Sequence, residues 1–129
     1  MDLNWLAVLA AAVSSFVLGG VWYSALFAKA WQRAAGLSDE QIKNGNMGLI
    51  FGGSFVLALI SAASFAVFLG AELDTRTGAL YGFTAGLCWV AASFGMNYLF
   101  ERKSLALFLI NGGYHTLQFT LIGAILGAF

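Results

Sequence analysis

Asn111, His115 and Gln118 are the residues of this chain whose types and spacing suit chemistry. They recur at i, i+4 and i+7, so on a helix they fall within about 60° of one another. Tyr114 adjoins them. Each can donate and accept hydrogen bonds, and the imidazole of His115, the single histidine of the chain, can also carry a proton. Such a face can relay protons, hold a polar group of a ligand, or bond across to neighbouring helices. The stretch that carries it is otherwise apolar: residues 105–129, LALFLINGGYHTLQFTLIGAILGAF, contain no Asp, Glu, Lys or Arg. A helix over this stretch is about 37 Å long, enough to cross a bilayer core of about 30 Å with some tilt. Gly113, Thr116, Thr120, Gly123 and Gly127 fall on its opposite side and make a nearly smooth face. Neither face suits open lipid, so the helix is expected to be packed on both.

The elements that must hold this face are of the same kind. The chain is 60% hydrophobic and 9% charged, against about 25% charged in an average soluble domain, and its mean hydropathy is +0.84. Four apolar runs predict an all-α, polytopic membrane protein of one domain, with spans over residues 3–28, 47–71, 77–100 and 105–128 arranged as two hairpins. The first five residues, MDLNW, lack the basic n-region of a signal peptide, so the first span is expected to be retained. In it Ala11, Ser15 and Gly19 form a small-residue stripe. Trp5 at one end and Trp22, Tyr23 and Trp31 toward the other read as interfacial anchors. The helix is expected to run on past the membrane to a stop at Gly36. Ser38 and Gln41 have capping-box spacing, which predicts a short surface helix over 38–44. Gly48 and Gly52 in span two, and Gly78, Gly82 and Gly86 in span three, recur every four residues, and small residues at that spacing let helix backbones approach closely. Gly123 and Gly127 offer the same on span four. With no proline in the chain, no span carries a proline kink.

Charge sets the expected topology. Loops one and three hold Lys29, Arg33, Lys43, Arg102 and Lys103, and loop two holds only Arg76. This asymmetry places loops one and three in the cytoplasm and both termini outside, in the cell's inner (cytoplasmic) membrane. Residues 49–57 (LIFGGSFVL) and 109–117 (LINGGYHTL) share a pattern, so the two hairpins read as parallel internal repeats. In that alignment Phe51, Phe55 and Ala58 stand where Asn111, His115 and Gln118 stand in the second copy.

The remaining chemistry is sparse. Zero formal net charge and the lack of a basic run argue against a nucleic-acid partner. No paired carboxylates, CxxC, HExxH, P-loop or nucleophile elbow occurs, so an enzyme is the least supported class and no catalytic residue is assigned. No metal or cofactor is expected in a single chain, although two copies of His115 across a two-fold axis have the ligand set of a bis-His haem. An ionisable group in a membrane interior is a functional candidate by default, and a neutral imidazole bridging two helices is its structural counterpart. Asn97 and Asn111 flank the short third loop and reach similar depth in a hairpin. With Trp22 and Tyr23 they predict a polar layer leading toward His115. The pieces Asn4-Trp5, Gly20-Val21-Trp22-Tyr23 with Phe27 and Lys29, Asn97-Tyr98-Leu99-Phe100-Glu101-Arg102, Asn111 to His115, and Gly123 to Gly127 resemble a domain-of-unknown-function family, DUF1761. That resemblance implies a small four-span bacterial membrane protein and no particular activity. Some relatives carry proline after the Trp-Tyr pair, where this chain has Ser24-Ala25.

Two functions follow as expectations. In one, Asn97, Asn111, Tyr114, His115 and Gln118 line a path or pocket for a small solute or proton, the ligand being unspecified. In the other, the same groups lock helices together in a structural or assembly protein. Beyond the lipid bilayer, the expected partner is a second copy of the chain, joined through the Gly123/Gly127 end of span four.

Overall fold

Each apolar run begins at a polar side chain that accepts the amide proton three residues ahead. Asn4 accepts from Ala7, Asn46 from Leu49, Asp74 from Thr77 and Ser104 from Leu107. The first amides of a helix have no partner within it, so these caps fix where each span starts. In the computed structural model, which describes residues 3–70 and 72–129, the spans are α1 (Trp5–Leu26), α4 (Met47–Leu69), α5 (Thr75–Glu101) and α6 (Leu105–Ala128). Two short helices, α2 (Ala28–Ala35) and α3 (Asp39–Lys43), lie between α1 and α4. Ala71, the expected last residue of span two, lies outside the described residues. All four spans are long and apolar enough to cross a membrane, and the described residues contain no strand.

The connections follow local chemistry. Gly36, at φ 73°, ends α2. Ser38 and Gln41 exchange both bonds of a capping box at the start of α3. Arg102, at φ 59°, turns the chain between α5 and α6.

The spans are not uniform helices, although none contains proline. Residues Val21–Leu26 of α1 and Ala85–Ala91 of α5 are π-helical. In the first, the Phe27 amide reaches back five residues to the Trp22 carbonyl at 2.9 Å. Trp22 and Tyr23, within this π-helical turn, are half-buried and hydrogen-bond to α6.

Helix α6 is central, packed along α5 and against α1, while α4 packs chiefly on α1. All four spans meet in one core of Val8, Ala11, Ala62, Phe65, Ala85 and Ile122. Between α5 and α6 the backbones nearly touch. A Cβ on Gly78 would overlap the Gly123 carbonyl, one on Gly82 the Phe119 carbonyl, and one on Gly127 the Asp74 carbonyl. On Gly86 it would lie 2.7 Å from the His115 carbonyl oxygen. Two expectations are corrected here. Gly52 has nothing within 4 Å of its Cβ position, and Gly48 would meet only the Asn46 side chain, so this glycine pair faces away from the bundle. Gly123 and Gly127 are occupied by α5 of the same chain and are not open to a second copy.

Candidate functional site

The polar face of α6 is engaged by both helices beside it. Asn111, half-buried, uses both ends of its carboxamide. Its Oδ1 accepts from the Tyr23 hydroxyl of α1 at 2.6 Å, and its Nδ2 donates to the Tyr98 hydroxyl of α5 at 2.8 Å. One side chain thus joins three spans. One turn away, the Tyr114 hydroxyl donates to the Ser15 carbonyl of α1 at 3.0 Å. Its ring lies over Gly19, where an added Cβ would sit 3.4 Å from the hydroxyl oxygen. Trp22 Nε1 donates to the Ile110 carbonyl at 2.9 Å, and its ring covers Gly113, whose Cβ position is 3.1 Å from it. The glycines on both helices make room for the aromatic side chains that carry these bonds.

His115 is bonded within its own helix. Its Nδ1 lies 2.7 Å from Oε1 of the buried Gln118. The amide oxygen can only accept, so Nδ1 carries the proton and Nε2 of a neutral ring is left as an acceptor. Phe94 of α5 stacks on the imidazole with centroids 4.9 Å apart and planes 10° from parallel, and Tyr114 meets it edge-on. Gln118 does not titrate, so no acid–base pair is formed here.

Asn97 does not join this layer. It is exposed on the outer side of α5, where with Trp89, Val90, Ser93 and Phe94 it lines an open groove of about 400 Å³. Phe94 belongs both to that groove and to the wall of His115. The α5 residue that reaches Asn111 is Tyr98, one position along. Among the sequence candidates, Asn111, Tyr114, His115 and Gln118 come together and Asn97 stands apart. Tyr98, Phe94 and the Ser15 carbonyl were missed. Tyr98 had a signal, since a tyrosine in an apolar span needs a partner for its hydroxyl.

Among the described residues every fully buried side-chain nitrogen and oxygen has a hydrogen-bond partner. No group of His, Cys, Asp and Glu among them is placed to hold a metal ion, and Cys88 is exposed. The arrangement is suited to cross-linking helices, and His115, the single histidine of the chain, is its side chain that can take up a proton near neutral pH. A family model described as a protein of unknown function (DUF1761) matches residues 6–127 of the chain. No curated protein and no solved structure matches it.

Proposed function

The chain belongs to the DUF1761 family, and we propose that it is a structural or assembly protein of the membrane whose polar groups on α6 hold the bundle in one register. The observation that carries this is Asn111, whose donor and acceptor are both spent on tyrosines of two other spans. In lipid there is no hydrophobic drive to bring helices together, so close packing and interhelical hydrogen bonds must specify the arrangement. Each such bond contributes about 0.6 kcal/mol on average and about 1.7 kcal/mol at most. The glycine contacts of Gly78, Gly82 and Gly86 against α6 supply the close packing. On this reading Asn111, Tyr114, His115 and Gln118 are interior cross-links.

A second reading, passage of a proton or small solute, is favoured by one observation. His115 is only partly buried, near the middle of α6, and with Nδ1 bonded to Gln118 the other ring nitrogen, Nε2, is the acceptor of the neutral ring. Two substitutions separate the readings. His115→Gln keeps hydrogen bonding without titration, and His115→Phe installs the residue found at the matching place of the first hairpin. For a structural protein both variants, reconstituted in liposomes, show the parent's proton and solute flux. Loss of a pH-dependent flux in both, with helicity retained, would refute the structural role.

For the inner-membrane placement proposed here, the orientation with both termini outside is taken from the Lys/Arg asymmetry of the loops. Self-association, if through α5, uses the exposed Ser93 and Asn97 rather than the occupied glycines. The internal repeat rests on the shared pattern of residues 49–57 and 109–117.

A further inference from the structure

The loop between α1 and α4 builds a groove that the interior cross-links do not use. Helix α2 begins two residues after α1 ends at Leu26. It is two-sided: Ala28, Trp31, Ala34 and Ala35 are half-buried, whereas Lys29 and Arg33, one turn apart, are exposed. Trp31 is held edge-on to Tyr23 at 5.7 Å, which ties α2 to the end of α1. Gly36 then reverses the chain, and the Leu37 amide bonds back to the Gln32 carbonyl at 3.1 Å. The capping box of α3 brings Asp39 to Gln32, whose Nε2 donates to Oδ1 at 2.7 Å. The result is an open groove of about 330 Å³ lined by Lys29, Gln32, Arg33, Leu37 and Asp39. Immediately before it, Val21 and Leu26 present exposed apolar side chains on α1.

We infer that this groove binds the headgroup of a membrane phospholipid, a phosphodiester that carries a hydrogen-bond donor beside the phosphate. Lys29 and Arg33 supply two positive groups for the phosphate, and a guanidinium can bind it through two parallel bonds. Asp39 repels a bare anion but accepts from an ammonium or hydroxyl next to a phosphate. That combination fits phosphoethanolamine or phosphoglycerol headgroups and not the quaternary ammonium of phosphatidylcholine, which has no proton to donate. The position adds the membrane: the groove follows in the chain directly on the end of span α1, whose last turns carry the exposed apolar side chains Val21 and Leu26. Interfacial basic residues next to a span are a recurring way of holding phospholipid.

The test is native mass spectrometry of the full chain released from nanodiscs containing phosphatidylethanolamine, phosphatidylglycerol or phosphatidylcholine. The expected result is retained ethanolamine and glycerol lipid with little choline lipid. Lys29→Gln with Arg33→Gln should lower retention roughly 30-fold, the effect of two interfacial cations. Lys103→Gln, in another loop, should leave retention unchanged. Asp39→Ala should remove the preference over phosphatidylcholine, a comparison that stands even if the double variant folds poorly. Equal retention by a folded double variant, equal loss in Lys103→Gln, or an unaltered preference in Asp39→Ala would overturn the assignment. Displacement of the lipid by inorganic phosphate would overturn it too, in favour of a free-anion site.

Discussion

Gly82→Ala is the smallest change that reaches the α5–α6 contact. An added Cβ would overlap the Phe119 carbonyl oxygen, and it would sit 2.6 Å from the carbonyl carbon and 3.0 Å from Cα of Thr120. Carbon contacts are comfortable at about 3.5–4.0 Å, so the two helices must part by about 1 Å, enough to forfeit a quarter to a half of each neighbouring dispersion contact. No rotamer relieves the clash, because a methyl group has none and its neighbours are backbone. Overpacking of this kind costs about 1–3 kcal/mol, with the loss along the rest of the contact added to it. Alanine's better helix propensity returns about 1 kcal/mol. Gly52→Ala receives that gain with nothing in the way, since no atom lies within 4 Å of its Cβ position. The propensity gain is common to both variants, so they should differ by about 1–3 kcal/mol, the overpacking cost itself, with Gly52→Ala above the parent and Gly82→Ala below it once the loss along the contact is added. Unfolding in mild detergent titrated with sodium dodecyl sulfate, followed by circular dichroism, measures both. Gly82→Ala as stable as the parent, or shifted alongside Gly52→Ala, would refute the close approach.

Three further outcomes are expected. The Thr77 hydroxyl and backbone amide hold the Asp74 carboxyl below its ordinary value of 3.8. Its contribution to stability is therefore present above that pH and is lost as pH falls through the lowered folded value. Asp74→Asn keeps a cap but cannot titrate, so its melting profile below about pH 4 should be flatter than the parent's, and superimposable profiles would contradict this. With Cys88 removed, a cysteine at Lys43 should resist an impermeant thiol reagent in intact cells while one at Asp74 reacts, and the reverse pattern would invert the topology. Native mass spectrometry in gentle detergents should show self-associated chains that Asn97→Leu weakens; monomer alone would remove the homo-oligomer.

Much of the fold was legible because a membrane leaves a chain few choices: every backbone polar group must be satisfied inside the span. Length and composition were enough to find the four spans, and Asn46, Asp74 and Ser104 mark their starts by local chemistry. What local pattern does not carry is the partner. Gly48 and Gly52 have the same spacing as Gly78 and Gly82, yet the first pair faces outward and the second meets α6. The π-helical turns at Val21–Leu26 and Ala85–Ala91 have no proline to announce them. Trp22 and Tyr23 lie in the first of them and bond to α6. Asn97 and Tyr98 differ by one position, which is about 100° around a helix. Counting from the loop does not tell which of the two faces Asn111.

The central claim, that the polar face of α6 is an interhelical lock, is tested most directly by a double-mutant cycle between Tyr23→Phe and Asn111→Leu. The Tyr23 hydroxyl and Asn111 Oδ1 are 2.6 Å apart. Asn111→Leu also removes the bond to Tyr98, but that loss is the same with or without the Tyr23 hydroxyl and cancels in the cycle, which isolates the Tyr23–Asn111 bond. Unfolding free energies of the parent, both single variants and the double variant should give a coupling of about 0.6–1.7 kcal/mol. Single variants as stable as the parent, with no coupling between them, would contradict the account.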